Sequence, residues 1–225
     1  MDIDPVFIRD GLITFIVLVV SVAFHEWGHA VVADMLGDDT PRADQRVTLN
    51  PLAHLDLVGT VLIPLINIFV FRSGFTFIAW GKPVMTNPSN FRNRQRDDVL
   101  VSLAGPAANL LAALIAVLVG CFVVAAQPRV GELVRGLVVM NAGLAVFNML
   151  PFPPLDGATL LRRVVGMSEE TYLNLSRWSG IVLLLVINIP FTQRLIGFAV
   201  GLTCVPFEVL CYRLNPSAYS LIFSS

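Results

Sequence analysis

The sequence predicts an all-α polytopic membrane protein. It would have about five to six transmembrane helices, with a short β or re-entrant segment between the first helix and the one that carries GPAAN. Three observations predict this class. Of 225 residues, 56% are hydrophobic and only 14% are charged, whereas a soluble domain carries roughly a quarter charged residues. The mean hydropathy is +0.75. The apolar residues also come in long runs, several of them near the roughly 20 residues that a bilayer-spanning helix needs.

The first run covers roughly residues 8–33 and ends in VAFHEWGHAVVA. The start, MDIDPVF, has no basic leader, and the run ends in polar chemistry, so no cleavable signal peptide is expected. Residues 34–55 are polar and irregular, with QRVTL (45–49) as a candidate short strand that could offer an edge to an extended peptide. The run LVGTVLIPLINIFVF (57–71) is too short for a comfortable span, and FTFIAW is shorter still. Together they predict a broken or re-entrant hairpin, which is tolerated only where protein or water covers the backbone. A basic stretch, KPVMTNPSNFRNRQRDD, follows. Further spans are predicted at 99–126, 133–150, roughly 172–190 and 194–212. No repeat or linker divides the chain, so a single domain over 1–225 is expected.

The net charge of −1 suggests no polyanion, and no nucleic-acid partner is expected. Cys121, Cys204 and Cys211 lie in apolar runs without CxxC spacing and read as small buried hydrophobes. Placing the N-terminus outside puts Arg42, Arg46, Lys82, Arg92, Arg94, Arg96, Arg162, Arg163 and Arg213 inside, as the positive-inside rule favours. The end of the first span, the start of 99–126 and the end of 133–150 then meet at the cytoplasmic face.

HEWGH carries the chemistry. His25 and His29 are four apart and share one helix face. Two imidazoles so placed can hold one Zn²⁺. Glu26 sits beside them, where a carboxylate can take a proton from an activated water, which is the physical content of H-E-x-x-H. Ionisable groups in a membrane span are costly and usually functional, and these two are among only three histidines in the chain. A catalytic zinc usually has three protein ligands. The third histidine, His54 in NPLAHLD, and acids such as Asp156 in NMLPFPPLDG are the candidates. Pro151, Pro153 and Pro154 break the helix before Asp156, and a polar cavity would explain a break at that depth.

HEWGH in an N-terminal span with NMLPFPPLDG over a hundred residues later resembles the site-2 protease family of intramembrane zinc metalloproteases. TLNPLAHLDLVGT, WGKPVMTNP and SLAGPAANLL resemble segments of its compact members, over about residues 12–165. The resemblance implies a core-only protease in a prokaryotic cell membrane. Its catalytic core would span about 8–165, with C-terminal helices at about 170–212. It implies His25, His29 and Asp156 as ligands of one Zn²⁺ and Glu26 as general base. Asn109 would contact substrate, with His54 near the site. The implied partners are a transmembrane protein substrate and the lipid bilayer. Without the resemblance, Asn109 reads as an interhelical hydrogen-bonding residue, as do Asn141, Asn148 and Asn188. Trp80 and Trp178 read as interface anchors. The alternatives are a membrane metal transporter, disfavoured because the later spans offer almost no acid or histidine path, and an inactive helix-binding protein, disfavoured by the intact Glu26. Three histidines cannot furnish a di-iron ligand set.

Overall fold

The computed structural model describes residues 4–71, 79–124, 127 and 130–224. Helix α1 (Pro5–Met35) starts with Pro at its first turn and with the Asp4 carboxylate accepting from the Val6 amide at 2.9 Å, so an otherwise orphaned donor is satisfied. It stops where Gly37 takes φ +105°. The short α2 (Thr40–Ala43) and a 3₁₀ turn (Pro51–Ala53) lie in the polar connection.

Residues 57–71 form a helix whose central α-turn, α3 (Ile63–Ile66), is flanked by π-helical turns at Leu57–Leu62 and Asn67–Phe71. Pro64 sits in that centre. It has no N–H to donate and its ring crowds the preceding turn, which displaces the i→i−4 ladder. The expected hairpin falls partly on 72–78, outside the described residues. On the near side of that gap, the Trp80 amide donates to the Gly59 carbonyl at 3.3 Å, and Thr60 Oγ1 donates to the Trp80 carbonyl at 2.7 Å. Among the described residues there is no strand. QRVTL forms a turn and bends. The Arg46 side chain instead donates to the carbonyls of Ala53 and Lys82, so the segment wraps around its own buried guanidinium.

Helix α4 (Arg94–Val123) is capped reciprocally: Asn93 accepts from the Arg96 amide and Asp97 accepts from the Asn93 amide. Helix α5 (Val130–Asn148) returns antiparallel to it. Then follow α6 (Asp156–Val164), α7 (Glu169–Ile187), α8 (Pro190–Leu214) and α9 (Pro216–Phe223). Helices α1, α4 and α5 make the central bundle. Gly28 lets α1 approach α4 closely, since a Cβ there would lie 2.7 Å from the Ala104 carbonyl and from the Ala108 Cβ. Small residues at a helix contact are the usual membrane solution, because lipid supplies no hydrophobic drive between helices.

Among the described residues four helices are long and apolar enough to cross a membrane: α1, α4, α5 and α8. The other expected spans are not among these four. Helix α7 is not one of them because its first half, EETYLNLSRW, is polar, and the helix at 57–71 is too short. The path of α8 also corrects the expected topology. Cys211 lies against Cys121 with their sulfurs 3.0 Å apart, and Asn215 donates to the Cys121 carbonyl at 2.9 Å. The end of α8 therefore sits beside the end of α4, and the two helices run parallel. With α4, α5 and α8 each crossing once, α7 begins and finishes at one end of the bundle without crossing. Arg213 then lies at the end opposite Arg92, Arg94 and Arg96, not beside them.

Candidate metal centre

Three elements deliver the site. On α1, His25 and His29 stack one turn apart, their rings edge-to-face at 84° with centroids 4.7 Å apart. On α4, Gly105 leaves the room they need: a Cβ there would lie 2.3 Å from His29 Nε2 and 2.7 Å from His25 Nε2. At the start of α6, Asp156 places Oδ2 3.2 Å from His25 Nε2 and Oδ1 3.4 Å from His29 Nε2. The three donors lie within 4.8 Å of one another. The prolines turn the chain after α5, and Gly157 seats α6 tightly, since a Cβ there would lie 2.2 Å from the Met149 carbonyl.

The hydrogen bonds behind the imidazoles decide what they present. His29 Nδ1 is 2.7 Å from the Val101 carbonyl, a pure acceptor, so Nδ1 carries the proton. His25 Nδ1 is 2.7 Å from Asn109 Oδ1. The Asn109 amide orientation follows from its other bonds, in which Nδ2 donates to the Ser21 carbonyl and to Asn141 Oδ1. Both neutral imidazoles therefore turn Nε2 lone pairs inward, 3.1 Å apart, facing a carboxylate. Three electron-rich atoms converging in a buried space are stable only with a cation among them, and two imidazoles plus one carboxylate suit Zn²⁺. The donor set fits the metal.

These donors open on a cavity of about 390 Å³. Glu26 lines it and packs against Gly81, where a Cβ would lie 2.9 Å from Glu26 Cγ. Trp80 also belongs to the wall and covers Gly59.

Two expected site residues stand behind the cavity lining. Asn109 is fully buried and does not line the cavity; it holds His25 from behind and joins α1, α4 and α5. That is the interhelical reading of this residue, used here to orient a donor. His54 is also fully buried and is not one of the three donors, with Nε2 2.8 Å from the Thr48 carbonyl. Burial keeps its pKa below the ordinary value. Its own carbonyl accepts from the Lys82 amide at 2.8 Å, so it braces the wall. Sequence reasoning missed Asp98, Ser102 and Thr159, and it assigned Asn148 no site role, yet all four line the cavity. Only the 3–4 spacing of Asp98 and Ser102 ahead of Gly105 could have signalled the first two.

Residues 124–187 match the family described as Peptidase family M50. The chain is 34% identical over 184 residues to the "Putative zinc metalloprotease YwhC" of Bacillus subtilis, covering 76% of this chain and 78% of that protein. It is 30% identical to the "Putative zinc metalloprotease Rip2" of Mycolicibacterium smegmatis, covering 77% of this chain and 66% of that protein. No solved structure matches.

Proposed function

This chain belongs to peptidase family M50, the site-2 protease family, and we propose that it is an intramembrane zinc metalloprotease hydrolysing peptide bonds in or near transmembrane segments of membrane-protein substrates. The observation that carries this reading is the convergence of His25, His29 and Asp156 beside Glu26 on one cavity. His25, His29 and Asp156 would hold one Zn²⁺. A zinc ion bound there supplies Lewis-acid polarisation of the scissile carbonyl and a water acidic enough to attack near neutral pH. Glu26 accepts the proton of the attacking water and delivers it to the leaving nitrogen. Asn109 and the Val101 carbonyl hold the two imidazoles in the Nε2-presenting tautomer. A substrate helix must unwind locally to reach the site, because its carbonyls are otherwise engaged in the i→i−4 ladder. Segment 79–87, which has no regular secondary structure, forms the wall along which an unwound chain would lie, braced from behind by His54 and Arg46.

The test is metal analysis of the purified protein together with cleavage of model single-span peptides, beside Glu26→Gln. We expect one zinc per chain in both proteins. Cleavage should fall by at least about 10²–10⁴-fold in the variant, the usual contribution of a general base. A fully active Glu26→Gln would refute the mechanism.

The basic residues support a cytoplasmic site. With four crossings, Arg42, Arg46, Lys82, Arg92, Arg94, Arg96, Arg162, Arg163, Arg177 and Arg194 fall at the site end, and Arg9, Arg135 and Arg213 at the other. Cysteines placed at the exposed Ser89 and Ser217 should react with an impermeant thiol reagent from opposite sides of the membrane. Labelling of both from one side would rule out the four-crossing arrangement.

A further inference from the structure

Helix α6 carries Asp156 at its first position but has little intrinsic reason to stay in place. It has nine residues, and Leu155 before it supplies no side-chain cap. A helix this short is unstable alone, so its position must come from tertiary contacts. At its start Gly157 sits against the Met149 carbonyl. Near its end Arg163 donates to Asp98 Oδ2 of α4, from Nε at 3.0 Å and also from Nη2. Both side chains are only 22% exposed, and Asp98 lines the same cavity as the metal donors.

The spacing of these contacts matches on the two helices. Along α4, Asp98, Val101, Gly105 and Asn109 recur at intervals of three and four and so share one face. Asp98 meets Arg163, the Val101 carbonyl accepts from His29, Gly105 makes room for both imidazoles, and Asn109 holds His25. From Asp98 to Gly105 is seven residues. From Asp156 to Arg163 on α6 is also seven, two turns and the same face. Each interval rises about 10.5 Å. The helices run past each other in opposite directions, with Asp156 level with the imidazoles over Gly105 and Arg163 level with Asp98.

We propose that the Arg163–Asp98 ion pair is a positioning device that fixes the register of α6 against α4, so that Asp156 reaches the two imidazoles. This rests on the reading of Asp156 as a metal ligand. Without the pair, α6 loses its ionic tie to α4 near its end, and its carboxylate samples positions out of reach of His25 and His29. Arg163 and Asp98 are not among the three donors; they act on the metal set through Asp156.

The test measures zinc affinity of the purified full-length protein by chelator competition, and the visible absorption of the cobalt-substituted protein, which reports ligand geometry. Arg163→Met is expected to weaken zinc binding roughly 10–100-fold, the usual effect of losing a supporting contact to a ligand, and to alter the cobalt spectrum. Arg163→Lys and the exchange Asp98→Arg with Arg163→Asp should recover most of the affinity, whereas Arg177→Met on α7 should leave it unchanged. Wild-type affinity in Arg163→Met overturns the proposal. So does a loss that neither Arg163→Lys nor the exchange restores. Should Arg163→Met fail to accumulate, the exchange decides alone: near-wild-type affinity supports the pair, and a loss refutes it. Asp156→Asn separates the two levels. Unchanged affinity there removes the three-ligand reading itself, whereas a loss there with a silent Arg163→Met removes only the positioning role.

Discussion

The glycines around the site and those on α7 and α8 live in different worlds. At the site, Gly28, Gly105 and Gly157 each occupy a place where a Cβ would meet another atom at 2.7 Å or less. On helices α7 and α8, Gly180, Gly197 and Gly201 have nothing within 4 Å of such an atom. The first set marks where helices and ligands are pressed together. The second lies on faces turned outward, among large exposed apolar side chains such as Leu185, Phe198 and Leu202. Polar bonding divides the same way. Ser21, Asn109 and Asn141 tie α1, α4 and α5 together at membrane depth, while α8 is buried along a stripe of Ile196, Val200, Cys204 and Cys211. Chemistry demands a fixed geometry around the site, whereas the outer faces of α7 and α8 need only an apolar surface.

The contrast can be broken most directly at Gly105. Replacing it with alanine puts a methyl into the space of His29 Nε2, and we expect zinc binding to be abolished, with overpacking costing about 1–3 kcal/mol of stability. A Gly105→Ala protein that retains stoichiometric zinc would end the argument that this position makes room for the metal set. A smaller effect is expected from Asn109→Ala, which deprives His25 Nδ1 of its acceptor. Zinc affinity should fall about 10–100-fold with one ion still bound at saturation, measured by the same chelator titration. The smallest is expected from Gly197→Ala in α8. With open space around it, thermal unfolding in detergent should shift by no more than about 1 kcal/mol, in the stabilising direction that helix propensity favours, and zinc content should not change.

The same division explains what could be seen in the sequence. His25, Glu26 and His29 stood out because ionisable groups are rare and costly in an apolar run, and their spacing set the shared face. Asp156 stood out because prolines broke a helix just before it. Helix α7 misled because its second half, IVLLLVI, looks like part of a span; composition does not say whether a run crosses, and only the contact of Cys211 with Cys121 reveals which way α8 travels. Asn109 was legible as a polar residue in a span, but its partners lie 32, 84 and 88 residues away, distances that no local pattern encodes. The strand expected at QRVTL failed for a related reason. A β-rich pentapeptide needs a partner edge, and here Arg46 takes the neighbouring carbonyls instead.

The seat of the imidazoles on Gly105 also works as a depth gauge. Helix α4 turns apolar at Val99, and Gly105 comes six residues later, a rise of about 9 Å. That is close to a third of a hydrocarbon core roughly 30 Å thick. On the proposed function, a bond cut at this level belongs to one leaflet, several residues inside the end of whatever helix supplies it. Each water consumed must travel that same short shaft from the nearer surface.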